Sequence, residues 1–263
     1  MSVPCGDPQS PGPLPLTGAG FPAQRARTFQ RKKLKTRKVL SLELHSPMRQ
    51  FFTGGVEYDA CTPPEHIERF TTEFHAFTRL LGVPQAWGRG VELKFRRLGR
   101  HRADGLYYPD QSVLVLDASS SSSFAHEFGH LIDYRSPEGR GPLRPCSTVS
   151  LLDGFSSFHE MFLSRMKDVA SQDSRLGSGR GRLSWDYLAS RLECFARAFE
   201  QYASETLPQP SCLVGRPERY RGDPLFFGVL PDSIVNYFQY ILAAGPFTQG
   251  GECPSGLVSS LRA

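Results

Sequence analysis

The run Val113-Leu114-Val115-Leu116 is wholly apolar and bounded by polar residues, which is the pattern of a strand buried on both faces. Leu106 to Tyr108 lie just upstream, across Pro109-Asp110-Gln111, and the two runs predict a hairpin. Elsewhere the apolar period is helical. Ile67, Phe70, Phe74, Phe77 and Leu81 line one face of a helix that Gly82 ends. Thr62-Pro63-Pro64-Glu65 is the expected start of that helix: a capping box with proline at the first helical position. Phe158, Phe162, Met166 and Val169 predict a helix over 155–169, and His159-Glu160 within it is followed at position 163 by a leucine. Leu188, Leu192, Phe195, Phe199 and Tyr202 form another helical stripe. Pro231-Asp232 opens a last helix, with Ile234, Tyr237, Phe238 and Ile241 inward. The expected class is α+β, with a small sheet followed by a mostly helical part.

The most informative polar residues interrupt an apolar segment. Phe124-Ala125-His126-Glu127-Phe128-Gly129-His130 contains His-Glu-x-x-His. On a helix, residues i and i+4 share a face. His126 and His130 can therefore address one ion, with Glu127 beside them, where it can reach a metal-bound water. Five serines, Ser119 to Ser123, separate the strand from this helix and can cap its start. The expected chemistry is hydrolysis by a zinc-activated water. A catalytic zinc needs a third protein ligand. Glu193 is the first candidate and Glu200 the next, seven residues on and on the same helix face. Small Ala196 between them permits close helix packing. The residues alone leave the choice between the two open.

His-Glu-Phe-Gly-His-Leu-Ile-Asp, followed by Glu-Cys-Phe-Ala-Arg-Ala-Phe-Glu, resembles two related groups of gluzincin-type metallopeptidases. One is the zincin-like domain of large polyvalent proteins of phages and conjugative elements. The other is the catalytic domain of anthrax lethal factor and its relatives. The resemblance covers roughly residues 90 to 245 and extends loosely to the stretch from Arg102 to Leu116. It implies a zincin-like fold, His126, His130 and Glu193 as zinc ligands, and Glu127 as the base. It implies Asp133 as a group that orients a ligand histidine. A tyrosine before the ligand glutamate stabilises the oxyanion in the lethal-factor group. Tyr187 stands one residue off that spacing, with Tyr202 and Arg197 as weaker alternatives. Leu106 to Tyr108 would then be the edge strand that binds an extended protein or peptide substrate.

Charge divides the chain. Residues 1 to 38 hold Arg25, Arg27, Arg31, Lys32, Lys33, Lys35, Arg37 and Lys38 against Asp7, a net +7, so the rest carries −2 of the overall +5. The prolines ahead of that run leave too few apolar residues to fold alone. A disordered tail over 1–47 is expected, with the folded part beginning near Met48, itself an alternative start. That part, 48–263, would have its cleft between about 48–134 and 135–263. The basic run is also a possible nucleic-acid contact, which with an inactive zinc-binding domain makes the two alternative readings. Six scattered cysteines lack C-x-x-C pairing. No stretch has eighteen consecutive apolar residues, and no signal-peptide core is present. A cytoplasmic protein without a membrane span is expected.

Overall fold

The apolar run at 113–116 becomes the centre of a small mixed sheet. In the computed structural model four strands, β1 (Gly55–Glu57), β2 (Glu92–Arg96), β3 (Gly105–Tyr108) and β4 (Val113–Asp117), are ordered β1-β2-β4-β3. β1 and β2 are parallel, as are β2 and β4, and β3 returns antiparallel to β4 as the hairpin partner. The structure describes residues 35–98, 104–135, 153–172, 185–215, 220, 226 and 228–246. Most of the Pro-rich and basic tail lies outside them, as do the side chains of Met166 and Val169.

The helices are α1 (Arg37–Leu44), α2 (Pro64–Leu80), α3 (Phe124–Arg135), α4 (Asp153–Gln172), the short α5 (Trp185–Leu188), α6 (Arg191–Thr206) and α7 (Asp232–Ala244). The molecule is thus α+β, with the sheet before the helical majority, as expected. Leu93 and Phe95 of β2 and Leu114 and Leu116 of β4 pair side by side and turn to the core. The opposite face of β1 and β2 is charged. There Glu57 meets Arg96 at 2.5 Å, Lys94 at 3.9 Å and Lys35 at 3.8 Å.

Lys35 and α1 lie ahead of the Met48 expected as the start, and α1 packs on α2. Thr36 caps α1 by accepting from the Val39 amide at 3.3 Å, and Val39 is buried. Lys35 also holds Glu43 at 2.6 Å, and Lys38 lies 3.4 Å from Glu68. These two bases therefore face carboxylates of their own chain.

α2 starts one residue later than a capping box at Thr62 requires. Pro63 is the N-cap and makes no side-chain cap bond, and the Thr62 hydroxyl is buried without a partner. Proline at 64 drives residue 63 out of the helical region, so the helix cannot begin earlier. His66 of α2 is half-buried, and its Nε2 has no partner. Gly82 ends the helix at φ +65°, as its sequence position predicts.

Aromatic rings join α2 to α3. Phe77 stands edge-on to Phe124 and Phe128 at 5.2 and 5.3 Å, and Phe70 meets Phe124 at 5.3 Å. Edge-to-face pairs of this kind contribute about 0.5–1.5 kcal/mol each beyond area burial. Phe128 continues the cluster to Phe199 of α6 at 6.2 Å. One face of α3 is thereby fixed to the core, while His126 and His130 turn toward Glu193 of α6. No described helix is long and apolar enough to cross a membrane.

Candidate metal centre

α3 leaves β4 through the serine run. The Phe124 and Glu127 amides are satisfied by the backbone carbonyls of Ser121 and Ser123, at 2.9 and 3.0 Å. Ser121 turns its hydroxyl to the Cys212 carbonyl at 2.8 Å, and the Ser123 hydroxyl is buried without a partner. Neither hydroxyl caps the helix.

α3 and α6 approach closely at Gly129. A Cβ built there would lie 2.9 Å from the Ala196 Cα. The expected role of a small residue at 196 is thus shared with a glycine inside the His-Glu-x-x-His motif. Glu193 arrives in the first turn of α6. Ser190 caps that helix, accepting from the Glu193 amide at 3.4 Å. In a capping box a glutamate at this position turns back to its own helix start. Here the Glu193 carboxylate goes to the two imidazoles instead.

Glu193 Oε2 is 3.5 Å from His126 Nε2, and Glu193 Oε1 is 3.4 Å from His130 Nε2. One ligand atom from each residue falls within a 4.8 Å group. These separations exceed the usual N–H···O range of about 2.7–3.2 Å. The two distances run to different oxygens of one carboxylate, and one atom from each of the three residues lies within 4.8 Å of the others, near enough to share one ion. Two imidazoles and one carboxylate form an N/N/O donor set, which suits zinc. The donors present are therefore ones that could hold a metal ion.

Glu200 takes a different part. Its Oε2 is 3.2 Å from His126 Nδ1, the ring nitrogen that faces away from Glu193. Its Oε1 accepts from the Tyr220 hydroxyl at 2.6 Å, and that hydroxyl accepts from the Gly215 amide at 2.6 Å. Through the chain Gly215–Tyr220–Glu200–His126, Glu200 would accept from Nδ1–H when a ligand takes the Nε2 lone pair in place of its proton. The sequence placed both glutamates on one face; the geometry separates their roles. For His126 the orienting carboxylate is Glu200; Asp133, which the resemblance implies as the orienting group of a ligand histidine, is fully buried in α3. Tyr220 carried no sequence signal, because it lies outside every periodic segment. Replacing Tyr220 by phenylalanine should weaken metal affinity about tenfold, measured by chelator competition; unchanged affinity would show that Glu200 needs no anchor.

Burial opposes charge on His126, but Glu193 and Glu200 outweigh it and lift its pKa to about 10. Burial likewise opposes charge on Glu193, yet the two imidazoles hold it well below the usual carboxylate range. Glu127 is buried too, and burial pushes its pKa up despite the histidines beside it. Two neighbouring carboxylates thus carry opposite shifts, one suited to binding a cation and one to accepting a proton.

Tyr187 lies on α5, about half exposed, and its hydroxyl donates to Glu193. Burial and the Glu193 charge both raise its pKa, which keeps it a donor. α5 is clamped to α6. The Leu188 carbonyl accepts from Arg197 Nη2 at 3.0 Å and from Cys194 Sγ at 3.4 Å. His159 of α4 adds a bond to the Ala189 carbonyl at 2.8 Å. Arg197 therefore holds the tyrosine-bearing turn. Tyr202 packs on Phe238 in the core at 5.5 Å. No family model, curated protein or solved structure matches this chain.

Proposed function

We propose that this chain is a zinc-dependent metallopeptidase of the gluzincin type that hydrolyses peptide bonds. The observation carrying this reading is the convergence of His126 Nε2, His130 Nε2 and Glu193 within one 4.8 Å group, with Glu127 buried beside it. His126, His130 and Glu193 would hold the ion. Zinc bound there supplies Lewis acidity toward a peptide carbonyl and makes a water more acidic.

The remaining work falls to the chain. Glu127 takes a proton from the attacking water as its oxygen bonds to the carbonyl carbon. When the C–N bond breaks, Glu127 returns the proton to the leaving amine. A buried carboxylate with a raised pKa is matched to that exchange. Glu200 and Tyr220 keep the His126 ring in register. Tyr187 is a hydroxyl donor at the rim, suited to charge developing on the carbonyl oxygen. β3 is the edge strand of the described sheet, and its Gly105 lies against the Glu127 side chain. An extended substrate paired along β3 would carry its backbone past that carboxylate.

Metal analysis of purified protein tests the ligand set. The wild type should retain about one zinc per chain after dialysis, and His126→Ala and Glu193→Ala should lose it. Glu200→Ala should keep the metal with weaker affinity. Equal metal in all four proteins would remove the site, and loss only with Glu200→Ala would exchange the roles of the two glutamates.

A further inference from the structure

Gly105 is buried in β3, opposite Leu116 of β4, on the sheet face that meets α3. It is not among the glycines with positive φ, so backbone freedom does not account for it. Space does. A Cβ at 105 would stand 2.5 Å from Ser123 Oγ, 2.6 Å from Glu127 Cγ and 3.1 Å from Glu127 Oε1. Real Cβ atoms essentially never come within 3.0 Å of such neighbours. Two residues along the same strand face, Tyr107 meets Tyr134 of α3 at 6.2 Å. β3 therefore runs along α3 with a ring filling one end of the contact and a gap at the other. The Glu127 side chain occupies that gap. The buried Ser123 hydroxyl, which has no partner, borders the same space.

We infer that Gly105 is a positioning residue: its missing side chain forms, with Ser123, the slot that fixes the Glu127 carboxylate for proton transfer. The inference rests on the proposed hydrolytic reading for its functional meaning, and its geometry stands without it. Glu127 Cγ is one bond from Cβ, so it clears an added methyl only by leaving its χ1 well, and the surroundings are buried. His126 and His130 meet no such obstruction. Their helix is held on its far side by Phe124 and Phe128.

The test is Gly105→Ala, made alone and in a Glu127→Ala background. The single variant should bind zinc within about threefold of wild type by chelator competition. Its kcat on a peptide substrate should fall about a hundredfold with KM little changed, the signature of a misplaced catalytic group. Its Tm should drop, and the drop should shrink by more than half when Glu127 is already alanine, because the Cγ clash is gone. An equal drop in both backgrounds, loss of zinc affinity in step with Tm, or an unmoved Tm with unchanged kcat would each overturn the inference. If Gly105→Ala does not fold, recovery of folding in the double variant supports the slot and failure of the double variant overturns it. Should the wild type cleave no peptide, the hydrolytic proposal falls, while the Tm comparison and the zinc affinities still decide the role of Gly105.

Discussion

Glu127→Gln should abolish peptide hydrolysis while leaving zinc in place. Glutamine keeps the shape of the side chain and cannot take a proton from water. A positioned general base contributes about 10²–10⁴ in rate, so kcat should fall by at least that order. His126, His130 and Glu193 are untouched, and the metal content should equal that of the wild type. Stability should not fall. Burial disfavours the charged form of Glu127, so its ordinary ionisation at neutral pH costs folding energy in the metal-free protein. The neutral amide removes that cost, and Tm should stay or rise. The contribution tied to the raised pKa is present at low pH and lost as pH climbs through it, so the difference in Tm should vanish in acid. Cleavage that survives the substitution at an undiminished rate would refute the mechanism. A wild type that binds zinc and cleaves nothing would favour the reading of an inactive zinc-binding domain.

What was legible in the sequence was what local spacing decides. The i, i+4 histidines form one helical face because α3 is helical, and the apolar run at 113–116 had to be central because it has no polar side to give to solvent. The α6 region was partly legible. Its stripe from Leu188 to Tyr202 reads as one helix, but the chain breaks at Ala189-Ser190, and α6 is buried nearly all round from Glu193 to Ser204. Ser190-Arg191-Leu192-Glu193 has the spacing of a helix start, a signal the continuous apolar period concealed. The choice between Glu193 and Glu200 was not legible. Both face α3, and which reaches a ring Nε2 and which a ring Nδ1 depends on how far α6 slides along its neighbour. Tyr220 and Gly105 are set by contacts across the fold and leave no periodic trace. The helix α1 was concealed by charge. The basic run dominates the composition there, although Thr36 and Val39 already mark a capped helix with a buried face.

Gly129 should be as demanding as any ligand, although it touches no ion. By helix propensity alone, Gly129→Ala should stabilise α3 by about 1 kcal/mol. Packing opposes this and should win. The new methyl would lie 2.9 Å from the Ala196 Cα and 3.3 Å from the Ala196 carbonyl oxygen and the Phe199 Cβ. Two of those atoms are backbone of a buried helix and cannot rotate away. The helices must part, and overpacking of this kind costs about 1–3 kcal/mol. The site then opens, because His126 and His130 ride on one helix and Glu193 on the other. Metal sites tolerate misplacement of about 0.5 Å, so zinc affinity should fall more steeply than Tm. Alanine at 196 offers no escape, since replacing it with glycine leaves the clashing Cα where it is. Thermal denaturation and chelator competition on Gly129→Ala measure both effects. A higher Tm with unaltered zinc affinity would mean that the close approach of α3 and α6 does not set the distance between the imidazoles and Glu193.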